Sequence, residues 1–238
     1  MKIKSLIKKI ALFLIPNSIK REIINIRLKY INVSYSQEGE DLILDRIITN
    51  KSNGYFIDVG AHHPKRFSNT YKLYKRGWRG INIDPLPESK RIFDTYRSYD
   101  INLELGISEF KSKLIYFSFN EPALNTFNER EAKLKNEIEG YFIKEKIELD
   151  TYPLSEILDK YLPTGTQIDL LNIDVEGLDL EVLKSNNWEK YQPNYILVEE
   201  LLNDLDSIIN DSLVYKYLKN KGYKICYRTC NTSFYKKI

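Results

Sequence analysis

The residues with the clearest chemical potential fall in four short stretches. Asp58, Gly60, Ala61, His62 and His63 lie in FIDVGAHHP, Asp84 in INIDP, Asp174 and Glu176 in NIDVEG, and Glu199 in LVEE. A glycine that ends one strand, followed about 20 residues later by a carboxylate ending the next, is the spacing of a ribose-binding βαβ unit. The glycine lets the backbone approach a ligand, and the carboxylate accepts hydrogen bonds from both ribose hydroxyls. Here Gly60 and Asp84 are 24 residues apart. Gly60 is followed by Ala61, His62, His63 and Pro64, so the further glycines that admit a pyrophosphate are missing. A ligand with a ribose but no pyrophosphate fits better, and S-adenosylmethionine is the common one. The same spacing also describes an ordinary βαβ unit whose glycine only makes a turn.

The elements that must position these residues can be read around that unit. The β-rich run Tyr55-Phe56-Ile57 enters Asp58-Val59-Gly60, and Pro64 forbids continuation as a strand. A helix is predicted over 68–76, with Ser68 or Asn69 as N-cap and Gly77 as its stop. A strand at 80–83 then ends on Asp84-Pro85. Upstream, 36–48 has helical spacing. Downstream, the pattern predicts a helix at 88–96, a strand at 101–105 running into Gly106-Ile107-Ser108, and a strand at 114–119. Residues 120–146 are highly charged with weak periodicity, which fits a helical insertion or a mobile lid that selects substrate. There follow a helix at 154–161, a buried strand at 168–173, a helix through about 184, a strand at 195–198 and a helix at 212–220. A C-terminal hairpin, 223–229 and 233–237, ends the chain. This succession predicts an α/β fold with a mostly parallel sheet and one antiparallel strand.

Several motifs stand in one order: SQEGEDLIL (36–44), FIDVGAHHP (56–64), FSNTYKLYKRGWRGINIDPLP (67–87), LELGIS (103–108) and IDLLNIDVEGLDLEVL (168–183). Together they resemble the FkbM family of S-adenosylmethionine-dependent methyltransferases over roughly residues 35–200. The resemblance implies a class I methyltransferase Rossmann-like fold with a seven-stranded sheet, and an O-methyltransferase acting on sugars or other secondary metabolites. By the family's first motif, Asp58, Gly60 and Ala61 line the methionine part of the cofactor, with Asp58 facing its ammonium directly or through water. A carboxylate that caps a turn is the ordinary alternative for Asp58. Asp84 takes the ribose, Gly106, Ile107 and Ser108 border the adenine, and Asn69 caps its helix and approaches the cofactor.

Asp174 and Glu176 leave their strand at the sheet's carboxyl edge, beside the expected methyl sulfonium. Methyl transfer to a hydroxyl needs in-line geometry and a base for the proton. Either acid, or His62 or His63 (the chain's two histidines), can serve. Alternatively, the two acids with a histidine can hold a divalent metal that acidifies the hydroxyl. Glu199 is either a substrate ligand or a solvated strand end.

Composition narrows the partners. Residues 1–30 carry a net charge of +7, leaving −4 on the remainder. A mildly acidic body, without an Asn-Pro-Pro-aromatic motif, argues against a nucleic-acid substrate. The basic segment 1–34 has Ile3, Leu6, Ile7, Ile10 and Leu14 at helical spacing, with an apolar run too short to span a bilayer. Residues 2–15 therefore suit peripheral contact with an anionic membrane, or packing on protein through the same stripe. Cys226 and Cys230, with no histidine nearby, make a poor zinc site and fit a reduced, cytoplasmic setting. The expectation is a domain at 35–238 that methylates a sugar hydroxyl in surface-polysaccharide, glycolipid or secondary-metabolite assembly. Its rivals are a non-catalytic scaffold docked at a membrane and an NAD-dependent sugar-modifying enzyme, the latter weakened by the missing glycines.

Overall fold

A computed structural model describes residues 31–48 and 51–238. Ser34–Ile238 forms one compact unit. The basic amphipathic stretch expected at 2–15 lies outside the described residues. Among those described, no helix is long and apolar enough to cross a membrane.

A seven-stranded sheet carries the domain, in the order β3-β2-β1-β7-β8-β10-β9. Its strands are β1 (Tyr55–Val59), β2 (Arg79–Ile83), β3 (Ile101–Leu103), β7 (Leu170–Ile173), β8 (Tyr195–Glu199), β9 (Tyr223–Arg228) and β10 (Thr232–Lys237). All neighbours pair in parallel except β10, which runs antiparallel to both β8 and β9. This is the Rossmann-like arrangement of the expected fold class. The four central parallel strands are buried on both faces, which accounts for their near-continuous apolar runs. Ile57, Val59, Ile81, Leu171, Ile173 and Val198 face one core. Phe56, Leu170, Leu197 and Phe234 face the other, against Leu44, Leu73 and Trp78.

The helices flanking the site are shorter than their sequence patterns predict. α1 spans Glu40–Ile47, not 36–48, because Ser34 Oγ, Ser36 Oγ and the Tyr35 N–H all bond the Asp41 carboxylate and hold a loop before Gly39. α2 spans only Tyr71–Lys75. Its approach is spent on side-chain bonds: Ser68 Oγ accepts the Tyr71 N–H, Asn69 donates to Asn172, and Thr70 donates to Asp58. Gly77, at φ 102°, ends α2 as expected. α3 (Ser89–Tyr96), α5 (Leu154–Tyr161), α6 (Asp179–Lys184) and α8 (Leu213–Asn220) are close to expectation, whereas α7 (Leu205–Asp211) is unforeseen.

The largest departure concerns the charged segment. The strand expected at 101–105 splits into β3 and a short β4 (Gly106–Ile107), which joins a second sheet of order β4-β6-β5. There, β5 (Ser112–Phe119) pairs antiparallel with β6 (Ile143–Tyr152). A ten-residue strand thus begins where a helix or lid is expected. Ile143, Ile147, Leu149 and Thr151 alternate with exposed charges, and those charges hide the period of two. α4 (Glu129–Asn136) is the α-helical part of the insertion, preceded by a 3-10 turn at Pro122–Leu124.

Below the site, polar side chains line one face of the sheet. Arg97 is fully buried; its Nε donates to Asp100, its Nη1 to Thr70, and Thr70 in turn donates to Asp58. Asp100 also accepts from the Gly80 N–H and the Asn82 amide. The guanidinium lies 4.9 Å from the Phe56 ring centroid and 5.2 Å from that of Tyr74. Removing one partner from such a network leaves the others as uncompensated buried charge. Arg97→Met is therefore expected to lose about 3–5 kcal/mol of stability, seen as a lower urea midpoint with an unchanged slope. A wild-type midpoint would contradict this account of the network.

Candidate active site

The sheet's strand order reverses between β1 and β7, the place where open parallel sheets leave a crevice at their carboxyl ends. A cleft of about 920 Å³, counted out to its open side, occupies that position. Ten of the sequence-predicted residues line it: Asp58, Gly60, Ala61, His62, Asn69, Asp84, Gly106, Ile107, Asp174 and Glu176. Three do not. Ser108 turns away, its Oγ hydrogen-bonded to the Phe110 carbonyl and to Thr151 Oγ1. His63 Nδ1 accepts the N–H groups of Lys65 and Arg66, so this histidine holds the loop's turn. Glu199 stands behind the cleft wall, beside Asp174 and Glu176.

Gly60 has a role the spacing argument does not anticipate. Its φ is +78°, and a Cβ there would sit 1.8 Å from the Asp174 carbonyl oxygen. The glycine is needed for the β1 loop to pass the β7 loop, whatever ligand lies above. The β1 end is further tied by the Gly60 and Ala61 N–H groups to the Ile83 carbonyl, and by the Asp174 N–H to the Val59 carbonyl. Asp84 follows β2 and accepts the N–H groups of His62 (2.7 Å) and Leu86 (2.9 Å), one on each carboxylate oxygen. Each oxygen keeps a lone pair for a ligand hydroxyl. Burial pushes the Asp84 carboxyl up to about 7. Asp58 is enclosed by Thr70 and Asn172, and burial raises its carboxyl despite the opposing pull of Arg97. It belongs to the buried network as well as to the cleft floor, and it does not cap a turn.

At the other end, Asp174, Glu176 and Glu199 offer carboxylate oxygens within 4.8 Å of one another. Glu176 and Gly177 have consecutive positive φ values of 56° and 100°, a tight turn that presents the Glu176 side chain. Asp179 fixes that turn by accepting the Val175 and Gly177 N–H groups. Burial, then the Glu199 and Glu176 charges, raise Asp174 well above the ordinary carboxylate range. Glu199 is pushed up to about 8, by burial first and then Glu176. His62 moves the other way: burial and neighbouring Arg66 lower it to about 4, so it is a weak proton acceptor near neutrality. The acids gather with one another, and neither histidine joins them to complete the metal set considered from sequence. The trio's spacing suits a divalent cation, yet Lys135 Nζ already sits 2.5 Å from Glu176 Oε2. A buried protein cation therefore partly balances the site.

Lys135 comes from the insertion, which is docked onto the site. Thr126 Oγ1 donates to the Glu176 carbonyl, Asn128 Nδ2 donates to the Gly177 carbonyl, and Arg66 pairs through two nitrogens with Glu121. Tyr116, Asn125, Thr126 and Phe127 complete the cleft wall. The sequence reading misses all four, together with Lys135, because their segment lacks a motif. Gln37 from SQEGEDLIL also lines the cleft, while Glu38 and Glu40 of that motif accept bonds from Asn231 and Thr232 of the hairpin.

A family model described as "Methyltransferase FkbM domain" matches residues 58–225, which include every cleft-lining residue but Gln37, and Glu199 beside them. The chain belongs to this family. Its fold is that expected of an FkbM methyltransferase domain, and a methyltransferase is the activity that membership supports. A comparison with curated proteins finds no match.

The clustered acids of this FkbM domain link protonation to stability. Asp84 and Asp179, each raised to about 7, and Glu199, raised to about 8, hold protons in the folded chain after the unfolded chain has released them. Stability falls with rising pH wherever the folded state binds more protons. His62 and His63, lowered in the fold, act oppositely below their ordinary value of 6.5. The uncompensated window is thus pH ~6.5 to ~8. Calorimetric scans should show the melting temperature falling across it, with a shallower fall in Glu199→Gln. A rise across that window would contradict the assignment.

Proposed function

We propose that this protein is an S-adenosylmethionine-dependent O-methyltransferase whose acceptor is a sugar hydroxyl in surface-polysaccharide, glycolipid or secondary-metabolite assembly. The observation that carries the reading is the position of Asp84 at the end of β2, with a free lone pair on each carboxylate oxygen, across one cleft from Asp174 and Glu176. The donor set suits the cofactor at both ends: a carboxylate for a ribose diol, and a negatively charged far end for a cationic sulfonium and ammonium. When bound, S-adenosylmethionine supplies an electrophilic methyl group.

The chain's own residues do the rest. Asp84 holds the ribose and so sets how far the cofactor reaches along the cleft. Asp58 and Asn69 stand at the floor, within the buried network that fixes their side chains. Asp174 accepts the acceptor's hydroxyl proton. Burial first raises its proton affinity above that of an ordinary carboxylate, which makes it the stronger proton acceptor once ionised. Glu176, held by Lys135, and Glu199 raise that affinity by like-charge repulsion. The insertion shields the cleft from water on the Tyr116 and Phe127 side. A basic segment at 2–15 that touches the inner face of the membrane would bring the domain near a lipid-linked acceptor.

The test is transfer of a labelled methyl group from S-adenosylmethionine to a panel of sugar and glycolipid acceptors. Asp174→Asn should lower kcat by about 10²–10⁴-fold. Glu199→Gln should shift the pH profile with a smaller loss. An Asp174→Asn enzyme with wild-type kcat would remove Asp174 from the role of base.

A further inference from the structure

Residues 212–238 hold seven Lys/Arg and no acid. Arg228 is spent on the fold, donating to the Ser233 hydroxyl and to the carbonyls of Glu200, Leu202 and Cys230. Five of the lysines gather at one end of the sheet. Lys236 stands opposite Tyr195, the first residue of β8, and opposite Lys224 on β9. Lys237 stands opposite Tyr223, and the Ile238 N–H bonds the Gly222 carbonyl beside it. Lys219 and Lys221 sit where α8 ends, just before that glycine. All five are exposed. They mark the amino edge of the parallel strands, whereas the cleft lies at the carboxyl edge.

This arrangement costs stability. Lys224 and Lys236 are directly opposed across two strands, so their side chains leave the same face, and like charges so placed repel. Among the described residues, none of the five lysines forms an ion pair with a carboxylate. A lysine on β9 can guard that edge strand against pairing with another chain. Lys236 cannot be explained that way, because β10 is an inner strand. The counter-charge must come from outside. Lys236, Lys219 and Lys221 lie over the rings of Tyr195, Tyr215 and Tyr217, at 5.7, 5.6 and 5.5 Å from their centroids. Apolar stems on aromatic rings, with charged heads in water, suit the headgroup level of a bilayer. The lysines come from a helix end, a turn and both strands of a hairpin, so a flat partner meets them together. Nucleic-acid backbones favour the forked guanidinium of arginine, and this end offers only lysine point charges.

We propose that this end of the domain docks on an anionic lipid bilayer through Lys219, Lys221, Lys224, Lys236 and Lys237, with the cleft turned toward water. The proposal stands apart from the chemistry of the cleft. The test is cosedimentation of the full chain with phosphatidylcholine vesicles, with and without phosphatidylserine. Wild type should bind only the anionic vesicles, and less as salt is raised. Replacing Lys221, Lys224 and Lys236 together by Gln should weaken binding about fivefold per lysine, or about a hundredfold in all. Replacing Lys111, Lys144 and Lys146 by Gln makes the same change in net charge at the second sheet and should leave binding near wild type. Residues 2–15 are intact in both variants. Lys236→Glu should melt higher than wild type, because it turns the Lys224 repulsion into attraction, and bind the anionic vesicles more weakly. Several results would overturn the proposal. Wild type may not respond to phosphatidylserine; the first variant could keep wild-type binding, leaving any contact to residues 2–15; or both variants could lose equally, reducing the effect to net charge. Binding of a duplex oligonucleotide in place of the vesicles would assign the lysines to nucleic acid. A lower melting temperature in Lys236→Glu would contradict the repulsion from which the docking is argued.

Discussion

At position 60 a Cβ atom would fall 1.8 Å from the Asp174 carbonyl oxygen, so the ends of β1 and β7 can cross only where residue 60 has no side chain. The rest of the site depends on that crossing. It sets the Asp174 loop against the β1 loop, whose N–H groups are in turn bound to the end of β2. Three strand ends are thereby fixed relative to one another, and each delivers one carboxylate: Asp58 from β1, Asp84 after β2 and Asp174 after β7. A ligand that spans Asp84 and Asp174 meets groups whose separation is set by the backbone.

Concentrating carboxylates in a partly buried cleft is unfavourable, and the structure offsets the cost locally. Arg97 and Thr70 sit below Asp58, Lys135 pairs with Glu176, and backbone N–H groups meet Asp84 and Asp179. Asp174 has no such compensation among these, and burial, then the Glu199 and Glu176 charges, raise its proton affinity. On the proposed reading this asymmetry separates holding from chemistry: acids with fixed donors would bind and orient, and Asp174 would take the proton.

Much of this was legible in the sequence, for definite reasons. A parallel sheet buried on both faces writes itself as apolar runs, and a strand-ending acid must sit at the carboxyl edge, so Asp84, Asp174 and Glu176 could be placed by position alone. Side-chain direction could not be read. Ser108 and His63 lie in the right loops but spend their polar atoms on Thr151 and on the Lys65 and Arg66 N–H groups. The reason for Gly60 was also hidden, because its contact is with a residue 114 positions away. The insertion was least legible. The alternation of β6 is masked by its solvent-facing charges, and nothing local to Lys135 or Asn125 announces that tertiary packing buries them.

The most direct measurement of the central claim, an adenosyl-cofactor cleft anchored by Asp84, is titration of the full chain with S-adenosylhomocysteine beside Asp84→Ala and an NAD control. The account predicts saturable binding by wild type, loss of that binding in an Asp84→Ala protein that remains folded, and no binding of NAD. Unchanged affinity in Asp84→Ala, or tight binding of NAD, would contradict it.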